Sequence, residues 1–139
     1  MIRKAHPEEI IRAALAMSYA PSAQVKGIVL AEKRAMKACV LYDYWTYNSA
    51  NVHIYSTDAS SLLNPRFVEE MFRYPYEQLG LGILMAVTPA DSTASLAFSK
   101  ALGFREIMRI KDGWKVGIDM VVKEMRREEC RYLTQKVAA

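Results

Sequence analysis

Cysteine is scarce: the 139 residues contain two, Cys39 and Cys130. They form neither a CxxC pair nor the spacing of a disulfide framework, so a reducing compartment is expected. Five prolines and six glycines are too few for a collagen-like or low-complexity chain. No apolar run approaches the ~18 residues a membrane-crossing helix needs. Met1-Ile2-Arg3-Lys4 leads into no signal-peptide apolar segment. A cytoplasmic location with no membrane partner is therefore expected. Charge of a single sign is also missing. Nineteen basic and fifteen acidic side chains give a net charge of +4, and Arg126, Arg127 and Arg131 are interleaved with Glu124, Glu128 and Glu129. A nucleic-acid surface needs a one-signed stripe to neutralise many phosphates, so nucleic acid is not the expected partner. There is no HExxH, P-loop, GxGxxG or GxSxG, and the spacing reveals no carboxylate–histidine cluster. A zinc or two-metal site is not expected.

What remains is the balance of a globular chain, 52% apolar and 24% charged, read as one domain over residues 1–139. A short strand at the start precedes a helix opened by His6-Pro7-Glu8-Glu9, where proline and early carboxylates suit the first turn. Ile10, Ile11, Ala14, Leu15 and Ser18 follow at helical spacing. Strands are predicted over 27–32, 37–46 and 51–57, joined by short turns as an antiparallel meander. A helix over 65–79 carries Phe67, Val68, Met71, Phe72 and Leu79 on its apolar side, and Pro75 is expected to kink it. Residues 81–88 (LGILMAVT) form the apolar run of a strand buried on both faces. A helix capped by Asp91 or Ser92 turns Ala94, Ala97, Phe98, Ala101 and Leu102 inward and ends at Gly103. Strands at 105–111 and 115–124 flank a turn at Asp112-Gly113, and a short helix over Arg127–Leu133 closes the series. The order implies an α+β fold: a mixed, mostly antiparallel sheet with helices on both faces.

The stretch from Asp91 to Phe104 (DSTASLAFSKALGF) resembles a hallmark of the GCN5-related N-acetyltransferases (GNAT family), in which a helix begins N-x-x-A and ends L-G-F before a strand. Leu102-Gly103-Phe104 matches the ending, Phe98 the apolar position and Ser95 the small residue. The element order is similar to that family over residues 1–124. Trp45-Thr46, His53, LGFRE at 102–106, DG at 112–113 and RREECRYL at 126–133 together resemble GNAT-like proteins encoded by bacteriophages. The resemblance implies a V-shaped splay between two parallel strands, near 51–57 and 81–88. It also implies acetyl-CoA as acyl donor and direct attack by an amine whose identity the sequence leaves open.

Carried onto this chain, the family's chemistry assigns the backbone of Ile54, Tyr55 and Ser56 to polarising the thioester carbonyl. The pyrophosphate loop falls at Ser60–Pro65. Glycines let backbone amides approach phosphate there in the family, but here Leu63 and Pro65 stand near their positions. Ser60, Ser61 and Arg66 can offer substitute donors, opposed by Asp58; the bland reading is a loop that starts a helix with proline in its first turn. Ser92 takes the place of an asparagine that contacts the cofactor arm. Ser99 occupies the position of the tyrosine that protonates the departing thiolate, and a serine hydroxyl is a far weaker acid than a phenol near ~10. His53, on one strand face with Asn51 and Tyr55, is the candidate base, since imidazole ordinarily titrates near ~6.5; a hydrogen-bonded structural histidine is the alternative. Asp43, Tyr44 and Trp45 line an acceptor groove or pack across strands. Two functions follow: an N-acetyltransferase with catalytic His53 and Ser99, or a catalytically inactive GNAT-fold interaction or assembly module. The second, exemplified by a bacteriophage virion component, takes a structural protein or a second copy as partner through Arg126–Leu133.

Overall fold

The computed structural model describes residues 1–57, 62 and 64–133. Among these residues seven strands form one mixed sheet: β1 (Ile2–Lys4), β2 (Lys26–Glu32), β3 (Ala35–Asp43), β4 (Ser49–Ser56), β5 (Ile83–Pro89), β6 (Arg105–Lys115) and β7 (Ile118–Arg126), in the spatial order β1-β2-β3-β4-β5-β7-β6. Every neighbouring pair is antiparallel except β4 and β5. Among the described residues three α-helices cover it: α1 (Pro7–Ala16), α2 (Pro65–Arg73) and α3 (Thr93–Leu102). No helix among the described residues is long and apolar enough to cross a membrane.

Helices do lie on both faces. Ala13 and Ala14 of α1 pack with Val29, Cys39 and Leu41. Phe67, Met71 and Phe72 of α2, with Leu102 of α3, share the other cluster with Val40, Tyr42 and Leu84. The α1 stripe differs from the periodicity: Ile11 and Leu15 are exposed, while Glu9 is buried. Glu9 turns inward because Arg3 of β1 meets it bidentately at 2.8 and 2.9 Å and the His6 amide donates to it at 2.9 Å. That pairing compensates a carboxylate at a buried position.

Other departures have equally local causes. The second meander strand stops at Asp43 because Tyr44 takes a positive φ of 53°, which a strand cannot continue. At Pro75 the expected disturbance takes the form of a change in helix type. The chain continues from α2 into a π-helical turn over Tyr74–Gln78, and the Met71 carbonyl, deprived of its donor by the proline ring, accepts instead from Tyr42 Oη at 2.6 Å. β5 is not buried on both faces: Leu84 and Ala86 are covered, but Ile83, Met85 and Val87 are only half-buried, since α1 sits over β2 and β3. In α3 Ser99 and Leu102 are buried and Phe98 packs half-buried against the same core, as expected, but the alanines face out. The last hairpin reverses at Val116-Gly117 rather than at Asp112-Gly113. Asp112 instead adopts φ 55° where the β6–β7 register shifts. The final segment makes a 3-10 turn over Arg127–Glu129, then buries Cys130 and Leu133 in the chain's own core and stacks Tyr132 on Phe72 with centroids 4.8 Å apart.

Candidate functional site

The parallel pairing of β4 with β5 covers three positions, Ser49 with Ile83, Ala50 with Leu84 and Asn51 with Met85. Beyond Asn51 the strands part. β4 remains paired to β3 on its other side as far as Ser56, while β5 turns its other edge to β7 as far as Pro89. Main-chain groups alternate along a strand. The Asn48 carbonyl accepts from Ile83 and the Thr57 amide donates to Lys37. Val52, Ile54 and Ser56 therefore direct their amides into the gap and Tyr55 directs its own toward β3. Of the backbone trio expected there, two point the required way.

The side chains of β4 split between the faces. Ile54 packs with the α2–α3 cluster; His53 lies opposite Leu41 on the α1 face. There the sheet assembles what spacing in the sequence conceals, a carboxylate–histidine cluster across the β3–β4 pairing. His53 Nε2 lies 3.0 Å from Asp43 Oδ1. Asp43 Oδ2 accepts from Tyr19 Oη and, at 3.2 Å, from the Ser22 amide. Tyr19 also stacks on the imidazole, with centroids 3.9 Å apart and planes inclined by 19°. Burial alone raises the Asp43 pKa, but the hydrogen bonds from His53 and Tyr19 outweigh it and hold the carboxyl below its ordinary value. Asp43 is therefore ionised and can only accept, so His53 Nε2 carries the proton shared between them. Burial and the same carboxylate push the Tyr19 phenol well up.

This arrangement is tied down by the segment between α1 and β2. Trp45 Nε1 donates to the Gln24 carbonyl at 2.9 Å and Tyr44 Oη to the Ala20 carbonyl at 3.4 Å. With the two bonds from Tyr19 and Ser22 to Asp43, the end of β3 clasps that segment against His53. Ser22 Oγ is buried there with no hydrogen-bond partner among the described residues. The sequence reading missed Tyr19, which lies in an irregular stretch where no period links it to β3 or β4.

On the opposite face, α2 begins with Pro65, and the Asn64 side chain accepts from the Phe67 amide at 3.0 Å. The Arg66 amide and its exposed guanidinium are what this first turn offers an anion. Ser60 and Ser61, with Asp58 and Leu63, lie outside the described residues. Ser92 is the N-cap of α3, but its side chain makes no capping hydrogen bond. Ser99 is buried under α3: Oγ donates to the Leu96 carbonyl at 3.1 Å and accepts from Lys123 Nζ at 2.9 Å. Lys123, on β7, was not singled out in the sequence. Its alternation with Val121 and Met125, both buried, is the signal that finds it. Arg3, His6, Glu8, Arg12 and Arg34 line a depression of about 740 Å³ that shares no residue with either group.

No protein-family model matches the chain, and no curated protein matches it. Solved structures do. A point mutant of spermidine N-acetyltransferase SpeG from Vibrio cholerae superposes with a TM-score of 0.77 at 12% identity, over 97% of this chain and 98% of that one. An N-acetyltransferase from Staphylococcus aureus Mu50 gives 0.69 at 12%, over 91% and 96%. The Campylobacter jejuni N-acetyltransferase PseH gives 0.65 at 11%, over 91% and 97%. The chain has the fold of the GCN5-related N-acetyltransferases. The bacteriophage assembly reading finds no support among these neighbours, and the C-terminal segment it reserved for a partner is engaged in the chain's own core through Cys130 and Leu133.

Proposed function

We propose that the chain is an N-acetyltransferase that moves the acetyl group of acetyl-CoA to an amine by direct attack. The observation that carries this reading is the parting of β4 from β5 beyond Asn51, beside a histidine tied to a buried carboxylate. The acetyltransferase names of the structural neighbours support it. Acetyl-CoA, when bound, supplies a thioester carbonyl to be attacked and a thiol to depart.

The residues around the gap suit that substrate. The Ile54 and Ser56 amides face a place where no strand accepts from them, which suits a carbonyl oxygen gathering negative charge. Arg66, at the positive end of α2, suits a phosphate, although the proline and the occupied Phe67 amide leave it less backbone help than a glycine loop gives. On the α1 face, His53 Nδ1 accepts the amine's proton. Asp43 holds the ring in the tautomer that can do so and stabilises the imidazolium that forms, and Tyr19 fixes the ring plane.

The test is thermal unfolding with acetyl-CoA, followed by thiol release with a panel of amines. Spermidine, named for the Vibrio cholerae neighbour, comes first. Ligand at a hundred times its dissociation constant stabilises the fold by ~2.7 kcal/mol. No shift at millimolar acetyl-CoA, with no thiol release, ends the proposal.

A further inference from the structure

Lys123 is 5% exposed, yet no carboxylate lies within ion-pair distance of it among the described residues. Its Nζ donates to two neutral oxygens, the Leu96 carbonyl at 2.8 Å and Ser99 Oγ at 2.9 Å, leaving a third N–H without an acceptor there. Neither oxygen depends on the lysine for a partner. The Leu96 carbonyl lies inside α3, where the helix supplies a donor of its own, and Ser99 bonds Leu96 without help. A buried cation kept without an anion is costly and is a signature of a working site. Its place supports this. Lys123 pairs with Ala86, the first β5 residue beyond the last β4–β5 pair, on the face of α2 and α3 and opposite to His53.

From this geometry, and resting on the acetyltransferase reading, we infer that Lys123 acting through Ser99 supplies the proton taken by the departing thiolate. As the C–N bond forms and the C–S bond breaks, the bonding pair goes to sulfur. The Ser99 hydroxyl, which donates to the Leu96 carbonyl at rest, turns its hydrogen to that sulfur and gives it up, and Lys123 returns a proton to Oγ. The neutral amine left behind recovers its proton from solvent. The serine alone is too weak an acid for this step, and an ammonium behind it removes the difficulty. Burial lowers the Lys123 pKa, which moves it toward the range of a thiol near ~8.5. Two charged groups act on it: Glu106, directly across on β6, opposes the shift and Lys100 on α3 adds to it. Ala86 on β5 adds no charge. The reaction thus has its base on one face of the sheet and its acid on the other.

The experiment compares the parent with Lys123→Met and Ser99→Ala for melting temperature, acetyl-CoA-induced shift, kcat, KM and the pH dependence of kcat. Lys123→Met is expected to keep or slightly raise its melting temperature and to keep its acetyl-CoA shift while kcat falls by about 10²-fold or more at unchanged KM, the size of a lost general acid. The alkaline limb of the kcat profile disappears with it. Ser99→Ala cuts the same relay and loses at least about 10-fold in kcat, and it decides the matter should Lys123→Met fail to fold. Turnover within threefold of the parent in a folded variant, with the alkaline limb intact, overturns the assignment while leaving the acetyltransferase reading standing. A parent with neither an acetyl-CoA shift nor turnover overturns both.

Discussion

Asp43 and Lys123 are both buried in the sheet near the β4–β5 gap, one on each face, and they are treated in opposite ways. Asp43 is fully buried and receives three donors, from His53, Tyr19 and the Ser22 amide. Lys123 is nearly as buried and meets only two neutral oxygens. A charge surrounded by well-placed partners belongs to the architecture, because removing it strands them. A charge held without a counter-ion can be removed and leave nothing stranded, so its presence has to be explained by what it does. Burial alone does not separate the two cases; the inventory of partners does.

The largest expected effect breaks the first half of this contrast. Asp43→Ala leaves the Tyr19 hydroxyl, the His53 ring and the Ser22 amide without their acceptor and loosens the clasp on residues 17–25. A loss of about 3–5 kcal/mol is expected, read from the urea midpoint at constant slope. A loss below about 1 kcal/mol makes the two charges alike and dissolves the distinction. Next in size is a neutral reference, Tyr42→Phe. It removes the donor that satisfies the Met71 carbonyl opposite Pro75, and stranding a buried acceptor costs about 1–3 kcal/mol. Smaller still, Lys123→Met leaves no group stranded, and its unfolding free energy at neutral pH is expected to equal the parent's or exceed it by about 1 kcal/mol. A loss of the size seen at Asp43 would show that Lys123 is structural.

The same contrast explains what could be read from the sequence. Asp43 and His53 sit ten residues apart on adjacent strands, and alternation puts His53 on the correct face. Only the β3–β4 register, which opposes His53 to Leu41 and Asn51 to Asp43, brings the carboxylate to the ring. Registers are set by turns, and the turn after Asp43 depends on Tyr44 adopting a positive φ, which no local propensity announces. The crossover was legible because its signals are strong. α3 ends where Gly103 takes φ 116°, and β4 and β5 run parallel and then part as the resemblance implied. The ends of β3 and β6 were not, since a left-handed Tyr44 and a bulge around Asp112 override alternation. Tyr19 reaches the site from an aperiodic segment. Ser99 was legible as a position but not as half of a pair, because Lys123 arrives from a strand 24 residues later.

The finest test follows the two charges with pH, where their signs oppose. The folded-state pKa of Asp43 lies below its unfolded value, so its contribution is complete above the unfolded value near ~3.9 and is lost as pH falls through the folded one. Glu9 adds to that acid limb. The hydrogen bond from Arg3 lowers it to about 2 against the cost of burial, so stability should decline from about pH 5 downward, and Asp43→Asn and Glu9→Gln should each flatten part of the fall. The folded pKa of Lys123 also lies below its unfolded value, but for a base the consequence inverts. Between the two values the unfolded chain binds more protons, so stability rises with pH toward ~10.4. Tyr19, Tyr42, Tyr76 and Cys39 have raised values and pull stability down over the same range. They are common to the parent and to Lys123→Met and cancel in the difference. That difference should favour Lys123→Met at neutral pH and shrink as pH approaches ~10.4. A difference that stays constant from neutral to alkaline pH would mean the lysine carries its charge in the fold as comfortably as in water, and the contrast with Asp43 would have no energetic basis.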